Sequence, residues 1–510
     1  MKKKSRTKNS LINSTMGIVS NFTFTFLNFI VRTIFIHYLS KDYLGINGLF
    51  SNILYILNFA ELGVGSAIVY KLYKPVADDD ENRIKELVFL YKRVYFIIGS
   101  VVLAIGLSLI PFLPLLIKDA PNIKDSLIVI YILYLLETVG TYFFGYNRDI
   151  LLVYQKNYVC SIIDLICSVV KSIIQAFILI FLRNYILYLI VYIISTILSN
   201  VIISLYTKRN YTFLKNIKNV KVNKKEVKEL WNNVKSIFVY KLGSTVLSGT
   251  DNIILSMIIG IAAVGLYSNY SLVVTAISGI LWIMLKGLTG SIGNLNTIKD
   301  PEKQERIYYQ VLYVSCMLYG FGCCCMAVLL SPFINVWIGE EYLVDVYTVI
   351  FITVVCYLRG IAFPSDVYRD TMGLFRDGRL APIVCSILNI VLSVVLGKLL
   401  GMKGVFLATI ISIVSTTFWY MPRIIEKKIF GKNVFYFLYK VAIFTIPFVV
   451  SYILITFIFS FITANTIWMF IVRCLIAASI TVLIPVLMLI KNKEEQAVIE
   501  RIKLLIKGKL

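Results

Sequence analysis

The sequence predicts an all-α, polytopic membrane protein with about fourteen transmembrane helices. The 510-residue chain is 58% hydrophobic, above the roughly half-apolar composition that is typical of soluble domains. Apolar blocks of about eighteen residues or more recur along its whole length, and each is long enough to cross a hydrocarbon core of about 30 Å. The runs of Ile, Leu, Val and Phe lack the alternation of a membrane β-barrel, so helices are the predicted spanning element.

The predicted spans fall into two groups of six and a final pair. Listed in chain order, they cover residues 13–39, 43–70, 94–117, 126–146, 158–182, 185–206, then 236–260, 265–291, 307–331, 342–363, 382–400, 404–422, and finally 438–462 and 466–490. The predicted organisation is an N-lobe (1–206), a basic linker with an amphipathic elbow helix (207–235), a C-lobe (236–422), two further helices (423–490) and an amphipathic tail (491–510).

The distribution of positive charge predicts the orientation in the membrane. The chain carries a formal net charge of +23, and residues 207–235 alone contain nine Lys and Arg. Under the positive-inside rule this places the N- and C-termini in the cytoplasm, with the protein in the bacterial inner, or plasma, membrane. Attraction to anionic membrane lipids explains the remaining excess, so no nucleic-acid partner is expected. Six basic residues fall at predicted external loops: Lys41, Lys118, Lys124, Arg183, Lys398 and Lys403.

The nucleophilic and metal-ligating residues argue against an enzyme. The chain has nine Cys, all inside predicted spans, and His37 is its only His. No Cys and His pair has the spacing of a zinc site, and a single His excludes ordinary His-based catalysis. We therefore expect neither a metal nor an organic cofactor.

Polar residues inside four predicted spans recur at helical spacing, which places them on one face of each helix. Four such faces are predicted to enclose a polar cavity, because a charge at the bilayer centre costs roughly 2.5–3.5 kcal/mol. Interhelical hydrogen bonds, worth about 0.6 kcal/mol each, remain the alternative, and Lys241 and Lys286 could instead snorkel to the interface. The stripes are Asn21, Thr25, Asn28 and Arg32; Asn47, Ser51, Tyr55, Asn58 and Glu61; Lys241, Ser244, Ser248, Asp251 and Asn252; and Ser268, Ser271, Thr275, Ser278, Trp282, Lys286 and Thr289.

The charged members of these stripes predict the chemistry of the cavity. The cations Arg32, Lys241 and Lys286 would attract an anionic group, and a guanidinium can bind phosphate through two nitrogens. The acids Glu61 and Asp251 could carry H⁺ or coordinate Na⁺ through a transport cycle. The membrane potential is a third candidate for the driving force of transport, at about 2.3 kcal/mol per charge per 100 mV.

Two further acids lie outside the four stripes. Asp164 shares a helical face with Lys171, two turns away, and pairing of these charges within the helix bundle is the favoured interpretation. Glu137 stands alone in its span. A proton relay, a lipid contact and a structural ion pair all remain open for it.

Two segments resemble the Wzx-type polysaccharide flippases of the multidrug/oligosaccharidyl-lipid/polysaccharide exporter superfamily: FAELGVGSAIVYKLYKPVADDDENRIKELVFLYKRVYFIIG at 59–99 and TDNIILSMIIGIAAVGLYSNY at 250–270. The resemblance implies two six-helix lobes in a V around a central cavity, two C-terminal helices and alternating access. It implies an undecaprenyl-pyrophosphate-linked oligosaccharide as substrate, with a polysaccharide polymerase and glycosyltransferases as partners in surface polysaccharide biosynthesis. Cavity residues carried over are Arg32, Lys241 and Lys286 for the pyrophosphate, with Asn28, Asn58, Ser248, Thr275 and Trp282 beside the sugars.

Three other functions remain open. A membrane glycosyltransferase or polymerase would need donor and acceptor chemistry on an external loop or domain, and the predicted external loops are short. A multidrug/cation antiporter would favour acids and aromatic residues over cations in the cavity. A flippase for the peptidoglycan precursor lipid II shares the expected fold and the pyrophosphate.

Overall fold

The structure is a computed structural model that describes residues 3–58, 64–119, 121–216, 224–289, 292–293, 300–372, 374–462 and 466–506. Every regular element in these ranges is helical. The α-helices are α1 (Lys3–Tyr38), α2 (Lys41–Leu57), α3 (Val64–Ala77), α4 (Glu81–Ser108), α5 (Leu127–Val153), α6 (Asn157–Phe177), α7 (Tyr185–Asn210), α8 (Lys224–Ile258), α9 (Ile261–Lys286), α10 (Pro301–Ile338), α11 (Val346–Ile361), α12 (Phe363–Met372), α13 (Phe375–Gly378), α14 (Ala381–Leu400), α15 (Met402–Ser415), α16 (Thr417–Ile425), α17 (Val434–Phe459), α18 (Ile467–Leu489) and α19 (Lys493–Ile506).

Twelve helical stretches in the described ranges are long and apolar enough to cross a membrane, which confirms the predicted all-α membrane fold. The predicted count of fourteen is approximate, because two predicted spans have no match among the twelve. Helix α2 has 17 residues and reaches only about 26 Å at 1.5 Å per residue. Helix α8 is one continuous helix of 35 residues, which begins in the predicted elbow segment and carries a polar stripe that dilutes its apolar character.

The chain divides into two compact units, Met1–Gly265 and Leu266–Leu510, which we call unit 1 and unit 2. In unit 1, α1 packs on α6, α5 packs on α4 and α7, and α2 packs on α8. Unit 1 therefore includes α8, although the sequence predicted this helix to be the first of the C-lobe. The lobe and linker boundaries drawn from the sequence stay predictions.

Tyrosines form much of the interior of unit 1. Tyr91, Tyr131, Tyr142 and Tyr185 are at most 1% exposed. A buried phenol needs a partner for its hydroxyl, and these have one: Tyr131 donates to the carbonyl oxygen of Gly106 at 2.9 Å, and the hydroxyls of Tyr134 and Tyr185 lie 3.2 Å apart. Such bonds cross-link α4, α5 and α7 inside the helix group.

An ion pair joins α5, α6 and α7. The Arg148 guanidinium donates to both carboxylate oxygens of Asp164, at 2.7 and 2.8 Å. Its remaining donors reach Asn200 Oδ1 at 2.7 Å and Ser199 Oγ at 3.0 Å, and Ser199 also donates to Asp164. The pair is half-buried, and its bidentate geometry gives two charge-assisted hydrogen bonds between helices.

Unit 2 is built around the 38-residue helix α10, which packs against α11, α17, α18 and α19. Its core includes Cys324, Phe448, Ile455 and Ala477 from three of these helices. Helices α14 and α15 form a hairpin that turns at Gly401, whose φ of 68° favours glycine. Outside the spans, α19 is attached by an ion pair between Lys440 Nζ and Glu494 Oε1 at 2.7 Å.

Replacing Gly45 by Ala is expected to destabilise unit 1 by about 1–3 kcal/mol, the usual cost of overfilling a packed contact. The added Cβ would overlap with the backbone carbonyl oxygen of Ile261, which cannot rotate away. Gly279→Ala is the matched control, because outside its own helix no heavy atom lies within 4 Å of its Cβ position and Ala favours helix. Thermal unfolding in detergent measures the difference. Equal melting temperatures of the two variants would contradict the close approach of Gly45 to the Ile261 backbone.

Removing one partner of the Arg148–Asp164 pair is expected to cost about 1.5–3 kcal/mol, the usual contribution of hydrogen bonds to a charged group, because the other half-buried charge loses its partner. Arg148→Met and Asp164→Leu should therefore each lower the melting temperature and the amount of protein accumulated in the membrane. The double variant Arg148→Met/Asp164→Leu should be more stable than either single variant, since it leaves no orphaned charge. Strictly additive losses in the double variant would argue against a coupled pair.

Candidate functional site

Arg32 lies in a cluster of tyrosines inside unit 1. It is half-buried on α1, and its charge interacts with the side chains of Tyr134, Tyr185 and Tyr188 on α5 and α7. The cluster is continuous with Phe35, whose ring packs edge-on against Tyr185 and Tyr188 with centroids 5.7 and 5.5 Å apart. Phenol hydroxyls and aromatic faces are both favourable neighbours for a guanidinium. The structure therefore places Arg32, the predicted phosphate-binding cation, beside phenol hydroxyls and aromatic rings.

The other predicted polar residues of α1 and α2 divide into two kinds. Asn28 is exposed on α1. Asn58, at the end of α2, accepts a hydrogen bond from the Tyr142 hydroxyl of α5 at 2.7 Å. For Asn58, therefore, the structure shows an interhelical hydrogen bond, which was the alternative to a position on a polar cavity. Glu61 lies outside the described residues.

The stripe on α8 is partly buried against neighbouring helices. Asp251 and Asn252 are 6% and 8% exposed, whereas Ser248 is exposed and Lys241 is half-buried. The Oδ1 atom of Asn252 is buried without a hydrogen-bond partner among the described residues. The polar residues of this helix therefore do not share one environment.

The stripe on α9 belongs to unit 2, and it runs from Ser268, which is 7% exposed, to an exposed C-terminal part. Thr275, Trp282 and Lys286 are all exposed, and their spacing of seven and four residues places them on one helical face. The Trp282 ring packs edge-on against Phe363 with the centroids 5.3 Å apart. Lys286 ends the helix, where the helix dipole favours a cation. This face of α9 presents a cation, a hydroxyl and an indole together.

Asp164 and Lys171 have different partners within the helix bundle. Asp164 pairs with Arg148, and Lys171 lies above the Tyr192 ring of α7, with Nζ 5.1 Å from its centroid. Arg148 was missed because the predicted span ended at residue 146, whereas α5 continues to Val153. An Arg two residues beyond a predicted span, with an Asp in the next span, was the available signal.

Glu137 has partners in the structure, although it is the only charged residue of its predicted span in the sequence. The Thr196 hydroxyl donates to its Oε1 at 3.3 Å, and the Tyr192 hydroxyl and the Lys171 ammonium group interact with its charge. Glu137, Lys171 and Tyr192 come from α5, α6 and α7, so the three helices that share the Arg148–Asp164 pair also share this second cluster. Neither cluster contains a residue of the four predicted stripes.

A largely apolar cavity of about 220 Å³ lies inside unit 2 among α10, α11 and α17. The hydroxyls of Tyr357 and Thr445 on its wall are 2.8 Å apart and so satisfy each other. The remaining lining has little hydrogen-bonding capacity to offer a ligand. Lining residues include Gly320, Cys323, Cys324, Tyr357, Phe448 and Tyr452.

Comparisons with known proteins agree with this architecture. Residues 7–287, more than half of the chain, match the family described as "Polysaccharide biosynthesis protein". No curated protein sequence matches the chain.

Solved structures of similar fold are membrane transporters. The lipid II flippase MurJ, in an inward closed conformation, aligns with a TM-score of 0.69 and 14% identity over 94% of this chain and 99% of that one. An inward-facing multidrug resistance MATE family transporter of the MOP superfamily gives 0.60 and 14% over 78% and 94%. A mutant of the Vibrio cholerae MATE transporter VcmN gives 0.56 and 14% over 85% and 100%.

At these identities the likeness establishes the fold, whereas the sequence match establishes the family. The fold agrees with the twelve apolar helical stretches. The chain is thus a multi-pass membrane protein with the fold of MurJ and the MATE transporters, and it belongs to the polysaccharide biosynthesis protein family.

Proposed function

We propose that this protein is a flippase that moves undecaprenyl-pyrophosphate-linked oligosaccharide units from the cytoplasmic to the outer leaflet of the bacterial inner membrane, by alternating access and with both termini in the cytoplasm. The observation that carries the proposal is the exposed polar face of α9, with Thr275, Trp282 and Lys286. The family match supports a role in polysaccharide biosynthesis, and the MurJ-like fold supports transport of a lipid-linked substrate.

The exposed polar face is costly unless it meets water or a polar ligand. A hydroxyl or an indole N–H without a partner loses free energy in hydrocarbon, and Lys286, in the last turn of α9, offers a cation towards the interface. Protein partners remove this cost for Arg148, Asp164 and Asn58. Thr275 and Lys286 are exposed instead, so we infer that they contact water and substrate.

The charges on these helices fit a lipid pyrophosphate. Arg32, Lys241 and Lys286 are the cations of the predicted stripes, and none is fully buried. A guanidinium binds phosphate oxygens through two nitrogens, and an ammonium supplies a point charge. Exposed Asn28, Ser248 and Thr275 would offer donors and acceptors to sugar hydroxyls.

The apolar cavity of unit 2, at about 220 Å³, is large enough for a short part of the lipid portion of the substrate. Its lining combines aliphatic, aromatic and thiol groups from α10, α11 and α17, and its two principal hydroxyls bond to each other. An isoprenoid chain needs only apolar contact, worth about 25 cal/mol per Å² of buried surface. Glycosyltransferases that build the oligosaccharide and a polymerase that extends it would be the neighbouring activities.

Two alternatives share this fold. A lipid II flippase would recognise the same isoprenyl pyrophosphate with a different sugar, and the MurJ likeness favours it. A multidrug antiporter is favoured by the MATE likeness. The cationic residues Arg32, Lys241 and Lys286 favour an anionic lipid substrate over a cationic drug.

The proposal predicts substrate movement in liposomes that contain the purified protein. An isoprenyl-pyrophosphate oligosaccharide with a fluorescent sugar should become protected from a membrane-impermeant quencher as it crosses the bilayer. Lys286→Gln and Arg32→Gln should each slow this movement about tenfold, which corresponds to ~1.4 kcal/mol of lost interaction. The Lys286 variant would lose an exposed contact with phosphate, and the Arg32 variant would lose the cation beside the tyrosine cluster.

Matched controls are Lys398→Gln and Arg209→Gln, which neutralise exposed cations at the ends of α14 and α7 and should keep the wild-type rate. Movement of labelled lipid II but not of the oligosaccharide lipid would select the first alternative. Export of a cationic dye without movement of either lipid would select the second. Wild-type rates in both test variants would remove Lys286 and Arg32 from the transport site.

A further inference from the structure

Helices α5, α6 and α7 hold three carboxylates, Glu137, Asp149 and Asp164, and each has different partners. Asp149 accepts a hydrogen bond from Tyr91 of α4. Asp164 belongs to the Arg148 pair. Glu137 belongs to the cluster with Lys171, Tyr192 and Thr196. An ionisable residue inside a membrane marks a functional site by default, so the partners of each carboxylate decide which one can change its charge.

Asp164 is held by a fixed cation. Both of its oxygens accept from the Arg148 guanidinium, at 2.7 and 2.8 Å, and Ser199 donates to it as well. Arg keeps its proton in proteins. The two charge-assisted hydrogen bonds therefore commit Asp164 to Arg148. This pair is a structural tie between helices.

Glu137 has partners that suit either of its protonation states. The Thr196 hydroxyl lies 3.3 Å from its Oε1, and Tyr192 provides a second hydroxyl. A hydroxyl donates to a carboxylate and can turn to accept from a protonated carboxyl group. Both the charged and the neutral acid would therefore remain hydrogen-bonded.

Lys171 likewise has a second partner when Glu137 is neutral. Its Nζ lies 5.1 Å from the centroid of the Tyr192 ring, within the range of a cation–π attraction. Lys171 would keep this contact after Glu137 takes up a proton. The Lys171–Tyr192 contact thus lowers the cost of protonating Glu137.

The surroundings of Glu137 favour a proton over a metal cation. Among the described residues, Lys171 of α6 and Tyr192 of α7 are the charged and titratable groups that act on Glu137. Phenols of other helices packed on α5 bond to other acids: Tyr91 of α4 donates to Asp149, and Tyr43 of α2 donates to Asp125. Hard cations need about six oxygen ligands. A lone carboxylate offers few oxygen ligands, and the ammonium group beside it repels a cation.

We propose that Glu137 binds the proton that drives transport, through reversible conversion of its carboxylate to the carboxylic acid. The inference rests on the proposed function, because it names the coupling ion of that transport. Uptake of one proton changes the Glu137–Lys171 cluster from neutral to singly positive. The transmembrane potential acts on such a change with about 2.3 kcal/mol per charge per 100 mV, and α5, α6 and α7 would adjust their packing to it.

The test compares wild type with Glu137→Gln in liposomes, with the same fluorescent isoprenyl-pyrophosphate oligosaccharide. An imposed pH gradient should raise the wild-type rate about tenfold, equivalent to ~1.4 kcal/mol, and leave the Glu137→Gln rate unchanged. Glu86→Gln is the matched control, because Glu86 pairs with Arg83 on α4 away from this cluster, and it should respond as wild type does. Glu137→Asp keeps a carboxyl group and should retain part of the response.

A second measurement needs no substrate and so separates this inference from the proposed function. Infrared difference spectra on acidification should show a carboxylic acid band in wild type that is absent from Glu137→Gln and present in Glu86→Gln. The inference is overturned if that band persists in Glu137→Gln, if Glu137→Gln still responds to the pH gradient, or if a Na⁺ gradient alone drives wild type. Failure of wild type to move any lipid while the band behaves as expected would overturn the flippase proposal alone.

Discussion

A polar group inside a bilayer must find a protein partner or meet water, and this constraint accounts for most of the arrangement of unit 1. The hydrocarbon offers no hydrogen bonds. Arg148 and Asp164 therefore meet through a bidentate contact, Tyr142 donates to Asn58, and Glu137 meets Lys171 and Tyr192. The same need for partners draws α5, α6 and α7 together.

The exposed polar residues of α9 carry the functional argument. Thr275, Trp282 and Lys286 share an exposed face of this helix, and water or a ligand beside them would remove the cost of a polar group in hydrocarbon. A cation beside a hydroxyl suits a phosphate next to a sugar. The apolar cavity of unit 2 is of the opposite character. The two surfaces together match a ligand that has a charged, hydroxylated end and a hydrocarbon end.

Sequence periodicity predicted the spans well and the contacts between them poorly. Twelve of the predicted spans have counterparts, because length and apolar content decide whether a helix crosses a bilayer. Helical spacing shows which residues share a face of one helix, but not which neighbour that face meets. Asp164 and Lys171 share a face of α6 and bind different partners, Arg148 and Tyr192. The stripe on α8 likewise divides into the buried Asp251 and the exposed Ser248.

The account depends on the exposed face of α9 lying against water and substrate. The most direct measurement is the reactivity of Thr275→Cys, in a background with the nine native Cys replaced, towards a membrane-impermeant maleimide. The account predicts labelling of the protein in liposomes, and protection from labelling by an isoprenyl-pyrophosphate oligosaccharide but not by an uncharged isoprenol. Labelling only by a lipid-soluble maleimide, with no protection by the pyrophosphate, would show that this face meets hydrocarbon and would contradict the account.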